Sequence, residues 1–190
     1  MKFKEFIVIV SLATVLQGCV AAAVVGVIGG ASVVNDNRSV GNQVDDQRIE
    51  LYAHAKLAEV TGLSDNTNLQ VVSVNGKALI VGQAPNSYLK GLAVKALNEV
   101  EGIDKIHDQI RIGNNVSITT KSHDIWITSK VKTALFSSDE LDATNVKVVT
   151  ENGEVFLLGL VKAFDGKAAV EIARHVSGVN RVFKMFEYID

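Results

Sequence analysis

The sequence predicts an α+β fold made by duplication: two tandem αββαβ domains, each a three-stranded mixed sheet packed against two helices. Two observations carry this expectation. First, three blocks recur in the same order at nearly constant separation. Asn68-Leu69-Gln70-Val71-Val72 returns as Asn145-Val146-Lys147-Val148-Val149, the stretch Asn75 to Gly82 returns as Asn152 to Gly159, and Val100-Glu101-Gly102-Ile103 returns as Val176-Ser177-Gly178-Val179. Self-similarity at a fixed period marks a repeated structural unit. Second, each copy holds Asn-Gly between two β-rich runs, which signals a type I′ hairpin because both central residues need positive φ.

The elements follow in order. A helix precedes each hairpin, read in copy two from Ile127, Val131, Ala134 and Leu135 at helical spacing and in copy one from their equivalents Ile49, Ala53, Lys56 and Leu57. The hairpins pair Leu69 to Val74 with Lys77 to Val81, and Val146 to Thr150 with Glu154 to Leu158. A second helix follows each hairpin. Pro85, the single proline, suits its first turn in copy one, and Leu89, Leu92, Ala93, Ala96, Leu97 and Val100 form its apolar stripe. Ala169, Ile172, Ala173 and Val176 do the same in copy two, and Gly102 and Gly178 are expected as C′ residues. A last strand closes each unit, Lys105 to Ile112 and Arg181 to Ile189. A strand-helix-strand step places it parallel to its neighbour.

The expected organisation is a signal segment over 1–18, a tether over 19–45 with a polar linker from Asn35 to Asp46, a first domain over 46–112, a linker over 113–122 and a second domain over 123–190. The chain has 190 residues, 47% hydrophobic and 21% charged, which is globular composition. Net charge is -2. Removing Lys2, Lys4 and Glu5 from 19 basic and 21 acidic residues leaves 17 and 20, so the chain stays weakly acidic. Bulk electrostatic binding to nucleic acid is excluded, and an anionic partner must be met by a local patch.

Nothing in the residues points to catalysis. His54, His107, His123 and His175 are scattered. His123-Asp124 are adjacent and seldom face each other, and Asp124 reads as an N-terminal capping or dipole residue. No His or carboxylate pair has metal-ligand spacing with a third ligand. Gly26, Gly29 and Gly30 do not follow a strand and open a helix, and the serines lack a nucleophile-elbow context. No enzyme activity, metal or cofactor is expected.

The N-terminus explains the only cysteine. Lys2 and Lys4 precede an apolar run from Phe6 to Leu16, followed by Gln17-Gly18-Cys19. A charged start, a short apolar run and small residues at the cut mark a secretory signal, and the run is too short to span a bilayer, which needs roughly 20 residues. Leu16-Gln17-Gly18-Cys19 resembles the bacterial lipobox, with Gln17 departing from the usual small residue. The resemblance implies a covalent N-acyl diacylglycerol on Cys19. Val20 stands where an Asp would signal inner-membrane retention, which implies the outer membrane.

The αββαβ order, the Asn-Gly hairpins ending in Val81-Gly82 and Leu158-Gly159, and the Val-x-Gly-Val/Ile segments resemble the BON domain. Two copies behind a lipobox, with Ser39-Val40-Gly41, Gln43-Val44-Asp45-Asp46 and Thr150 to Leu157, resemble the dual BON-domain outer-membrane lipoproteins of Gram-negative bacteria, the DolP/YraP group. The resemblance covers essentially the whole chain. It implies a non-enzymatic outer-membrane lipoprotein facing the periplasm; a monomer is expected. Such a protein binds an anionic phospholipid such as phosphatidylglycerol and supports envelope integrity, with a role at the division site as the finer reading.

The two copies differ where function should lie. With Ile127 at the centre of the core face, Trp126 falls well off it, as do Ile125, Ser129, Lys132, Thr133 and Phe136, with Lys130 on the flank. Copy one carries Arg48 opposite Trp126, with Glu50 and His54 nearby, so only the second helix is expected to show an apolar, aromatic outer stripe. Three readings compete. Trp126 packs under the linker or against the first domain. It anchors a protein partner, which makes the chain a periplasmic scaffold for an envelope protein. Or it meets a membrane surface, where Trp and Phe sit at the headgroup boundary and Lys reaches lipid phosphates. The resemblance selects the third reading, with Ile125, Trp126, Ser129, Lys130, Lys132, Thr133 and Phe136 as the lipid-binding face.

Overall fold

The structure, a computed structural model, describes residues 36–189. The expected signal segment 1–18, the lipidation site Cys19, Val20 and the glycines of 26–30 lie outside the described residues.

The first domain begins with helix α1 (Val40–Glu59) and one turn of helix, α2 (Leu63–Asn66). The hairpin β1 (Asn68–Val74) and β2 (Lys77–Ala84) follows, then helix α3 (Ser87–Leu97) and strand β3 (Lys105–Ile112). The second domain repeats the order with helix α4 (Ile118–Phe136), a short 3-10 turn (Ala143–Asn145), β4 (Lys147–Glu151), β5 (Glu154–Lys162), helix α5 (Ala163–Arg174) and β6 (Arg181–Ile189).

Each sheet has the expected mixed topology. β1 runs antiparallel to β2 from Asn68↔Gln83 to Val74↔Lys77, and β3 lies parallel on the far side of β2, Lys77↔Lys105 to Ala84↔Ile112. β4, β5 and β6 repeat this. The turns are left-handed at both central residues, with φ 51° and 73° at Asn75 and Gly76, and 51° and 74° at Asn152 and Gly153. That is the type I′ geometry the dipeptide demands.

Several boundaries differ from expectation, for local reasons. α1 starts at Val40, inside the polar stretch read as linker, because the Ser39 side chain accepts from the Asn42 N–H. α4 starts at Ile118, so 118–122 is helical. Ser117 caps it through the Thr120 N–H, while the β-branched Ile118, Thr119 and Thr120 hide the helix from propensity. Pro85 precedes the helix rather than opening it, since Asn86 is the cap and accepts from the Leu89 N–H. Gly102 and Gly178 do take positive φ, 89° and 100°, but five and four residues past the last helical residue. Turns at Glu99→Ala96, Val100→Leu97 and Val176→Ala173 prolong each helix first.

Packing is four layers deep. Ile49, Ala53 and Leu57 of α1 and Ala93, Ala96 and Leu97 of α3 cover one face of the first sheet at Val71, Ala78 and Ile80. α4 and α5 cover the second sheet the same way at Val148, Val155 and Leu157. The opposite sheet faces then pack on each other: Val72, Val74, Leu79 and Val81 meet Val149, Phe156 and Leu158, with Phe183 and Met185 against them. Phe156 and Phe183 stack at 4.9 Å. The two αββαβ domains therefore share a core. Ion pairs rim it, Lys77–Glu187 at 2.7 Å, Lys147–Glu50 at 2.6 Å and Arg111–Glu154 at 2.9 Å. Such partly exposed pairs are worth roughly 0–1 kcal/mol each, so apolar burial does most of the joining.

Candidate membrane-contact surface

One aspartate ties the first helix of each domain to its hairpin. Asp46 of α1 is 2% exposed and accepts from the Ser73 hydroxyl and from the Asn75 and Gly76 N–H groups. Asp124 of α4 is 5% exposed and accepts from the Asn152 N–H at 2.7 Å and the Gly153 N–H at 2.8 Å. Asp124 is thus not the capping residue expected. It sits in the second turn of a helix that began at Ile118, and it satisfies the tight-turn amides that no strand can reach.

With Asp124, Ile127, Val131 and Leu135 buried, the rest of α4 is directed outward. Ile125 is 68% exposed, Trp126 49% and Phe136 62%, and Ser129, Lys132 and Thr133 are exposed with them. The Ser129 hydroxyl is turned inward along the helix, donating to the Ile125 carbonyl at 3.0 Å. Trp126 does not pack under the linker. Its ring stacks on His123 of its own helix at 5.6 Å between centroids, and the Lys130 ammonium lies 4.1 Å above it. Lys130 also donates to the Ser177 carbonyl at 3.3 Å, which holds it on the Trp126 side of the helix. Lys132 forms no ion pair among the described residues.

Sequence reasoning missed Ile118, exposed on this same face seven residues before Ile125. The Ser117 cap was the signal that could have found it. It also overstated the contrast between copies, because α1 exposes Val40, Val44, Leu51 and Tyr52. What separates the two helices is charge. α1 carries Asp45, Asp46, Glu50 and Glu59 against Arg48 and Lys56, and both of these bases pair with acids, Asp45 and Glu59. α4 carries Lys121, Lys130 and Lys132, and its one acid, Asp124, is buried. The outer face of α4 is apolar and cationic, while on α1 Asp46 is buried, Glu50 is paired with Lys147, and the exposed charges cancel in the Arg48–Asp45 and Lys56–Glu59 pairs.

A groove of about 560 Å³ runs beside this face, between Lys121, Ile125, Ser129 and Lys132 of α4 and Asn68 and Gln70 of β1. Its carboxylates are engaged: Asp124 by the turn amides, Glu151 by the Gln83 side-chain amide. Burial pushes the Glu151 carboxyl above its ordinary value despite that hydrogen bond. Among the described residues no cluster of His, Cys, Asp and Glu could hold a metal ion, and no helix is long and apolar enough to cross a membrane.

The BON domain family model matches residues 45–114 and 123–190. The chain belongs to the BON-domain family. Its relatives include the outer membrane lipoprotein DolP of Haemophilus influenzae, 36% identical over 187 residues that cover 98% of this chain and 97% of the relative. The 21 kDa hemolysin of Actinobacillus pleuropneumoniae is 40% identical over 154 residues, 81% of this chain and 79% of the relative. Osmotically-inducible protein Y of Escherichia coli is 30% identical over 161 residues, 80% and 77%. The likeness to the first two supports a dual BON-domain, non-enzymatic outer-membrane lipoprotein. The candidate surface lies on the first helix of the second BON domain.

Proposed function

We propose that this protein binds anionic phospholipid, phosphatidylglycerol in the first instance, through the outer face of α4, and that it does so as a periplasm-facing lipoprotein anchored by acyl chains on Cys19. One observation carries the reading: Ile118, Ile125, Trp126 and Phe136 are exposed on one helix whose accessible charges are lysines and whose only acid is buried. Aromatic and aliphatic groups enter the headgroup boundary while lysines remain at phosphate level. Each lysine near such a surface contributes about 1 kcal/mol. That is weak alone, but the several acyl chains on Cys19 would anchor the chain stably and keep α4 close to a membrane. The anchor supplies proximity and α4 supplies selectivity for anionic lipid. The finer biological reading is support of envelope integrity, including a role at the division site, through recruitment to membrane regions rich in anionic lipid.

The test is Trp126→Glu in the chain from Cys19 onward, with binding to phosphatidylglycerol vesicles followed by co-sedimentation and the fold by circular dichroism. Loss of binding with an intact spectrum is the expected result. Unchanged binding overturns the assignment of this face. Binding of an envelope protein through Trp126, with no affinity for vesicles, favours the scaffold reading instead.

A further inference from the structure

Asp36 to Arg38, where the described body begins, is fastened to both BON domains at once. The Asn37 N–H donates to Asn145 Oδ1 at 2.6 Å, and the Asn37 side-chain amide donates to the Leu160 carbonyl at 2.9 Å. Both acceptors belong to the second domain. The Arg38 guanidinium donates to Asp36 through Nε at 3.1 Å and Nη2 at 2.7 Å, and to Asp46 of the first domain through Nη1 at 2.8 Å. A planar guanidinium fork meets two carboxylates at fixed angles, which a flexible lysine would not do.

The duplication shows that this is an addition and not part of the domain. Asp124 in copy two holds its hairpin turn with no arginine beside it, and Val116 stands where copy one has Arg38. The arginine belongs only to the copy that follows the tether. Its position also matters. Arg38 and Asn145 line one small surface groove with Lys132 and Phe136, at the C-terminal end of α4.

We propose that Asp36 to Arg38 are a positioning staple, rooting the N-terminal tether beside Phe136 so that the lipid on Cys19 and the outer face of α4 address the same membrane. This rests on the membrane reading of α4. Seventeen residue steps separate Cys19 from Asp36, a reach of at most roughly 60 Å. A body of this length is about 40 Å across. A tether rooted on the far side would use most of its reach in passing around the protein. Rooted beside Phe136, it keeps α4 at high effective concentration over the bilayer.

The chain has one cysteine and one tryptophan, which makes the test direct. The chain from Cys19 onward is coupled through its thiol to maleimide lipid in vesicles containing brominated phosphatidylglycerol, and quenching of Trp126 reports contact of α4 with lipid. The variants are Asn37→Ala with Arg38→Ala, and a four-residue Gly-Ser insertion between Asn35 and Asp36 that lengthens the tether but keeps the staple. The free form is the same chain with Cys19 blocked. Quenching in the anchored form should fall by about twofold or more in the staple variant and little in the insertion variant, since only the first loses the favoured effective concentration. The free forms should bind vesicles equally. Equal quenching of anchored wild type and staple variant overturns the staple while leaving the membrane reading intact. No quenching of Trp126 in any form overturns that reading, and the staple with it. Weaker binding of the free staple variant, with its fold intact, would place Asn37 or Arg38 in the lipid contact itself and overturn the positioning role.

Discussion

Asp124→Ala should cost the protein about 3 kcal/mol. Both carboxylate oxygens are used, one by each N–H of the Asn152-Gly153 turn, at 2.7 and 2.8 Å. Hydrogen bonds to a charged acceptor contribute roughly 1.5–3 kcal/mol each, and a buried donor left without a partner loses the full desolvation term. Gly153 N–H is buried and bears that loss. Asn152 is exposed and recovers part of it from water, so the sum falls near the lower end of two such bonds. Asp124→Asn keeps one acceptor oxygen and should lose about half as much. For a chain of this size 3 kcal/mol corresponds to roughly 6–12 °C in Tm. Urea unfolding of the two variants, followed by far-ultraviolet circular dichroism, reads the difference. Asp46→Ala should cost more, because it also strands the Ser73 hydroxyl and removes one of the two carboxylate partners of Arg38. A loss below about 1 kcal/mol for Asp124→Ala would mean that the turn holds itself and that the aspartate is incidental.

The remaining predictions concern charge. Glu151→Gln should raise Tm at neutral pH, because burial disfavours the charged carboxylate and glutamine can still accept from Gln83. A carboxyl whose pKa is raised on folding binds its proton more tightly in the folded state, so its contribution is present below the unfolded value and is lost as pH rises through the folded one. The advantage of the variant should therefore vanish in thermal melts below about pH 4. Lys132→Ala should weaken binding to phosphatidylglycerol vesicles about fivefold, corresponding to one lysine near an anionic surface, and added salt should shrink the difference. Equal affinities at low salt would remove Lys132 from the contact.

Much of the candidate site was legible because helical spacing is a local property. Once Ile127, Val131 and Leu135 are set as core, the outward placement of Ile125, Trp126 and Phe136 follows from 3.6 residues per turn. Ile118 was missed because a β-branched first turn masks a helix that only its cap reveals. The role of Asp124 was misread because its partners lie in a hairpin 28 residues away. The staple was not legible at all. Asn37 and Arg38 look like polar linker, and their acceptors lie as far as 123 residues along the chain.

By itself the sequence determined the duplication, the order of elements in each BON domain and the conformation of both turns, since these follow from local periodicity and from the φ that Asn-Gly alone adopts easily. It also bears a mark of the shared core. Ala78 to Ala84 is buried throughout, so β2 has no solvent face, and its apolar run from Ala78 to Val81 is that of a strand covered on both sides. Only the tertiary structure decided what covers the second face. Leu79 and Val81 could have met any apolar layer, and it is their packing on Phe156 and Leu158 that joins the two domains. Non-local apolar contact is set by shape in three dimensions, and the same packing brings Asp46, Asn145 and Leu160 close enough for three residues of linker to bridge them.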